Sequence, residues 1–270
     1  TFDYTKLAIV SALHIKRYLG EDSNISLVTD TETFEQLDKE FLYLYDHIIF
    51  DETKIDNHRM YDTKLIKFNN YTRLSSYDLS PYDETIVVDV DYLVQSDCLN
   101  NCWDSHQSLR INCHSTSVNK IIDKVHKQRL SDTSIDFYWG TVFYFKKCPE
   151  MKDFFEYTKY LYQHWDFFQK VHYTHEPNIR VDHILSMAIH AFRGYDISRS
   201  VSTFVAPLPY EHLLDMFPSD KVLKVCNNGA LIMSHARDQA ATKVGGLDIH
   251  IMNKESISNH FDKFVEIYGQ

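Results

Sequence analysis

The chain has 270 residues, room for one large domain or two small ones, and enough to bury a core without a disulfide or metal staple. Hydrophobic residues make up 44% and charged residues 24%, ordinary globular values, and the scarcity of glycine (7) and proline (6) excludes collagen and low-complexity disorder. The 28 Lys and Arg against 38 Asp and Glu leave a net charge of −10, which argues against a sequence-independent nucleic-acid binder and a polybasic membrane anchor.

In chain order, Thr1 to Leu19 reads as a helix, with Leu7, Val10, Ala12, Leu13 and Ile15 near the helical period and Gly20 as the stop. In an α/β fold a strand would belong before Thr1, so a missing first strand is an expectation. Ile25 to Thr29 is a short β-branched run expected to be a buried strand ending at Asp30. Phe34 to Tyr45 reads as helix, His47 to Phe50 as strand, Lys64 to Tyr77 as helix, and Pro81 as a turn. Thr85 to Asp91 is an apolar strand that turns acidic at its carboxyl end. The alternation of strand and helix predicts a mostly parallel, covered sheet, whose ligands bind beyond the carboxyl ends of its strands.

Asp97 to Asn119 is polar and irregular, and Ile135 to Phe145 reads as a strand broken at Gly140. Pro149 to Gln169 and Val181 to Phe192 read as helices. Ala230 to Met233 is a strand running into Ser234 and His235, followed by a polar loop, a strand at Ile249 to Met252 and a closing helix from Ser256 to Tyr268. No repeat or linker divides the chain, which reads as one domain with a nucleotide-binding half over 1–97 and an acceptor or sugar half over 98–270. No apolar run approaches the ~20 residues that cross a bilayer. Five cysteines, an odd number, predict free thiols in a reducing, cytoplasmic setting. The spacing of Cys98, Cys102, Cys113 and His114 is too loose for a zinc knuckle.

The chemistry concentrates in Tyr82 to Leu93, where Asp89 and Asp91 follow the apolar run one residue apart. A turn there aims both carboxylates at one cation, and hard oxygen ligands suit Mg²⁺ or Mn²⁺. Such an ion neutralises charge on a departing diphosphate.

With these residues in place, the sequence resembles the GT-A-fold glycosyltransferases that use nucleotide sugars, the glycogenin and lipopolysaccharide galactosyltransferase type. The likeness rests on Tyr4 before Leu7-Ala8, Thr29-Asp30 after a strand, Arg73-Leu74, the turn Leu79-Ser80-Pro81-Tyr82-Asp83, and Asp89-Val90-Asp91. It implies a single Rossmann-like α/β domain with a mixed, mostly parallel sheet flanked by helices. It also implies metal-dependent transfer from a nucleoside-diphosphate sugar, a UDP-sugar first, to an acceptor hydroxyl, with a retaining outcome favoured. Tyr4, Asp30, Arg73, Asp89, Gly140 and Lys243 would then meet the donor, and Arg73 and Asp182 would serve catalysis. Asp89, Asp91 and His235 would hold Mn²⁺ or Mg²⁺. His250, followed by Lys254, competes with His235 for the third ligand position. Asp182 also reads as a helix cap.

The chain departs from the family where Tyr138-Trp139 precede Gly140 and where His183 follows Asp182. The acceptor stays open among a glycan, a lipid-linked sugar, a protein and a modified nucleobase. The rival readings are a nucleotidyltransferase on the same aspartates and a non-catalytic nucleotide-sugar-binding module.

Overall fold

The structure, a computed structural model, describes residues 3–53, 58–61, 64–67, 71–118, 129–131, 134–174, 178–195, 204–209, 213–227, 230–235 and 240–269. It is an α/β protein with mixed sheets. The first helix spans Tyr4–Leu19 because the Asp3 carboxylate accepts from Lys6 N and caps it; the first two residues of the expected helix lie outside the described ones. The strands Ser26–Thr29 and His47–Phe50 pair in parallel, as alternating strand and helix lead one to expect.

Elsewhere the mostly parallel expectation gives way. Of the described ladders four are parallel and six antiparallel. An apolar run reports burial on both faces, not strand direction. Glu84–Val88 lies antiparallel to Val142–Lys146, whose first four residues are themselves buried. Their four-stranded sheet runs Val205–Ala206, Leu109–Ile111, Val142–Lys146, Glu84–Val88. A second sheet runs Tyr92–Leu93, Ile249–Ile251, Leu213–Met216, Ser115–Ser117, and a third, antiparallel, joins Lys221–Val225, Ala230–His235 and Ala240–Gly245. The polar loop expected after His235 therefore contains a strand.

Other elements are shorter than the sequence pattern implies. Phe34 to Tyr45 is not one helix. Asp30 caps Thr31–Glu35, and Asp38 opens a separate 3₁₀ turn over Lys39–Leu44. Within Lys64 to Tyr77, Lys64–Lys67 instead pairs with His58–Tyr61 in a hairpin, and helix begins only with the turn Tyr71–Ser75 and Ser76–Leu79. Helix breaks at His164 divide Pro149–Gln163 from Trp165–Val171, and Lys254–Ser258 is separate from Phe261–Tyr268. In Ile135 to Phe145 only the part after Gly140 enters a ladder.

Two hydrophobic clusters hold these layers, and Ile15 and Tyr18 of the first helix pack against both. One is aromatic: Phe155 is 1% exposed and its ring lies 5.1 Å from Phe145 and 5.4 Å from Phe154. The first helix is pinned to the strand after the acidic turn, where the His14 ring Nδ1 lies 2.9 Å from Val94 O. No helix among the described residues is long and apolar enough to cross a membrane. Phe155→Ala is expected to cost about 3–5 kcal/mol, read as a lowered midpoint in urea, because the ring leaves a cavity in that cluster. A loss under about 1 kcal/mol would contradict the packing described.

Candidate functional site

The strand Glu84–Val88 stops one residue short of Asp89, and the chain then crosses from the first four-stranded sheet into the second. Asp89 N donates to Thr141 O at 3.0 Å, Tyr92 N closes the turn on Asp89 O at 2.9 Å, and Ile251 N donates to Asp91 O at 2.8 Å. The acidic turn is thus stitched to both sheets. Beyond it opens a cleft of about 2730 Å³.

Two chains of polar contacts meet at this turn. In the first, Arg73 Nη1 lies 3.1 Å from Asp89 Oδ2 and donates to Gly140 O at 2.9 Å. Gly140 N donates to Asp182 Oδ1 at 2.8 Å, and Arg180 Nη2 lies 3.0 Å from Asp182 Oδ2. A Cβ on Gly140 would stand 2.8 Å from Leu185 Cδ1 and 3.2 Å from Asp182 Oδ1, so any larger residue there makes the Leu185 methyl shift. In the second chain, Lys254 Nζ contacts Asp91 Oδ2. His250 Nε2 lies 3.4 Å from the same oxygen, while His250 Nδ1 is 2.8 Å from Asp215 Oδ1.

Electrostatics follows this wiring. Burial raises Asp89 above the usual carboxylate range; Arg73 opposes the rise and the neighbouring Asp91 adds to it. Burial also works to raise Asp91, but Lys254 and His250 outweigh it and hold that carboxyl far below the usual range. For His250 burial favours the neutral ring, yet Asp91 and Asp215 prevail and raise its basicity. Burial pushes Asp182 upward, but Arg180 and Arg73 dominate and bring it down to about 2.

Among the described residues, Asp89, Asp91 and His250 form a group able to hold a metal, their ligand atoms all within 4.8 Å of one another. His250, the competing candidate, completes the set. His235 ends the strand Ala230–His235 opposite Ala240, in a different sheet, and its side chain lies outside the described ones. The cation against Asp91 is Lys254; Lys243 is exposed on the strand Ala240–Gly245, opposite Ile232, and is not part of the cleft wall. The expectation for His235 thus falls on a side chain outside the described residues. A histidine at a strand end is a common pattern, and only the register of Ile249–Ile251 beside Tyr92–Leu93 distinguishes His250.

The other expected residues separate by position. Tyr4, Asp30, Arg73, Asp89 and Asp182 all line the cleft. Asp30 is exposed and its carboxylate is already used to cap Thr31–Glu35, accepting from Thr33 N at 2.7 Å. Asp182 is no helix cap: Arg180 holds that position for Val181–Phe192, and the aspartate faces Gly140 instead. Trp139 also lines the cleft, with its indole Nε1–H buried and without a hydrogen-bond partner among the described residues. Tyr138 is drawn elsewhere, its hydroxyl accepting from Arg193 Nη1 at 3.0 Å.

Two residues of this polar network escaped the sequence reading, Asp215 and Arg180. Asp215 did leave a signal: an acid inside the apolar run Leu213-Leu214-Asp215-Met216 needs a buried partner. Comparison with protein-family models, with curated proteins and with solved structures finds no match. The site's own chemistry therefore carries the functional reading.

The lowered pKa of Asp182 carries a pH signature. An ordinary carboxyl titrates at 3.8 and Asp182 at about 2, so its stabilisation is present above 3.8 and lost as pH falls through 2. The full amount is about 2 kcal/mol. Urea unfolding of wild type and Asp182→Asn is expected to show that advantage at pH 6 and roughly half of it at pH 3. A difference unchanged between the two pH values would contradict the assignment.

Proposed function

We propose that the chain is a metal-dependent glycosyltransferase of the GT-A type, a single Rossmann-like domain that moves a sugar from a nucleoside-diphosphate sugar, first of all a UDP-sugar, to an acceptor hydroxyl. The observation that carries this reading is the convergence of Asp89, Asp91 and His250 at a cleft also lined by Arg73, Arg180 and Lys254. Carboxylates and a metal-facing imidazole serve a divalent cation; fixed cations beside them serve a diphosphate. The free, odd-numbered cysteines fit a reducing, cytoplasmic setting.

The donor set fits Mn²⁺ well: two carboxylates and one imidazole whose far nitrogen is already engaged by Asp215. Asp89, Asp91 and His250 would hold the ion; Mg²⁺ suits the two carboxylates but the imidazole less. When bound, the cation supplies Lewis-acid stabilisation of the leaving diphosphate. Arg73 and Lys254 would add positive charge beside the diphosphate as its bond to the sugar breaks. Lys254 would exchange part of its contact with Asp91 for phosphate oxygens.

Asp182 is a poor proton acceptor at neutral pH, since its oxygens are engaged by Gly140 N and Arg180 and its acidity is raised. It acts by position, holding the Gly140 backbone and Arg180 at the cleft wall. Tyr4, at the start of the first helix, lines the cleft and would meet the nucleoside. An acceptor hydroxyl attacking from the leaving-group face needs no covalent protein intermediate, which fits the retaining outcome.

The test is nucleoside diphosphate release from a panel of nucleotide sugars with Mn²⁺. The expected result is slow release of UDP from one donor, abolished by chelator and lowered roughly 100-fold or more in Asp91→Asn. Pyrophosphate release from a nucleoside triphosphate would instead establish a nucleotidyltransferase. Tight nucleotide binding without turnover of any donor would establish a binding module.

A further inference from the structure

We propose that Asp215 is a positioning residue that fixes the His250 ring so that Nε2 is presented to the metal beside Asp89 and Asp91. This rests on the metal-dependent reading above. The strands Leu213–Met216 and Ile249–Ile251 pair in parallel with Asp215 directly opposite His250. Side chains opposite each other in a ladder share a face of the sheet, so the two groups meet because of the register. Asp215 Oδ1 receives the His250 Nδ1 proton at 2.8 Å, which leaves Nε2 as the nitrogen toward Asp91, 3.4 Å away.

The position is a costly one for a carboxylate. Its side chain is 2% exposed, and Oδ2 has no hydrogen-bond partner among the described residues. A buried carboxylate with half of its acceptor capacity unused stabilises a core poorly compared with an apolar residue of similar size. What it does provide is orientation. A ring held only by packing turns about its χ2 torsion and presents either nitrogen, whereas a carboxylate on Nδ1 selects Nε2 as the ligand atom and raises its basicity toward the metal.

The experiment titrates the full chain with Mn²⁺, following free Mn²⁺ by electron paramagnetic resonance. Pulsed measurements on the bound ion detect modulation from a coordinated imidazole nitrogen. Wild type is expected to bind one Mn²⁺ with that modulation. Asp215→Leu is expected to weaken binding roughly 10- to 100-fold and to lose the modulation, with circular dichroism unchanged. Asp215→Asn, which keeps a carbonyl acceptor for Nδ1–H, is expected to fall between them and to retain the modulation. Asp215→Ala carries the same expectation as the leucine variant if that variant does not fold.

A leucine or alanine variant that binds Mn²⁺ with wild-type affinity and modulation overturns the positioning role and leaves the metal site standing. Wild type that binds Mn²⁺ without nitrogen modulation also overturns it, because His250 is then no ligand. Wild type that binds no Mn²⁺ removes the metal-dependent reading itself.

Discussion

Two carboxylates one residue apart, set in a turn between two sheets, repel each other and lose most of their water. That constraint organises the site. Left alone, one of them would stay protonated. Here the repulsion is met by giving each aspartate its own cation: Arg73 for Asp89 and Lys254 for Asp91, with His250 between Asp91 and Asp215. The outcome is asymmetric, with Asp89 raised and Asp91 lowered. A site balanced in this way can exchange a protein cation for a metal ion and regain a partner for the displaced cation from a phosphate.

The fold makes this possible by changing sheets at the acidic turn. Glu84–Val88 belongs to the sheet that contains Val142–Lys146, and Tyr92–Leu93 belongs to the sheet that contains His250. A continuous strand would place both aspartates on one face of one sheet. The crossing lets Asp89 reach Arg73 and the Thr141 backbone while Asp91 reaches the second sheet. Gly140 adds to this, since without a Cβ its backbone lies between Arg73 and Asp182 without displacing the Leu185 methyl. Asp182 then stands in contact with the same network from a different helix.

Local chemistry made part of this legible in the sequence. Asp89 and Asp91 stood out because acids rarely end an apolar run without a reason, and Gly140 because it interrupts an aromatic strand. Strong apolar periodicity located the helices Tyr4–Leu19 and Val181–Phe192. Strand direction was not legible, because burial on both faces occurs in parallel and antiparallel surroundings alike. The helix expected around Lys64 failed because four residues of Lys64–Lys67 found a closer partner in His58–Tyr61 than any helical turn offered. That His250 and Lys254 reach the acidic turn depends on which strand lies beside Tyr92–Leu93. That is a long-range register, and no spacing within the chain encodes it.

The central claim is that the aspartate pair and its cations form one site for a divalent ion together with a diphosphate. Linkage then requires each ligand to raise the affinity of the other by the same factor. The most direct measurement is calorimetric titration of UDP into the protein with and without Mn²⁺, and of Mn²⁺ with and without UDP. The account predicts UDP binding that strengthens with Mn²⁺, the reciprocal strengthening of Mn²⁺ by UDP, and loss of the coupling in Asp91→Asn. UDP binding of equal strength with and without Mn²⁺ would contradict it.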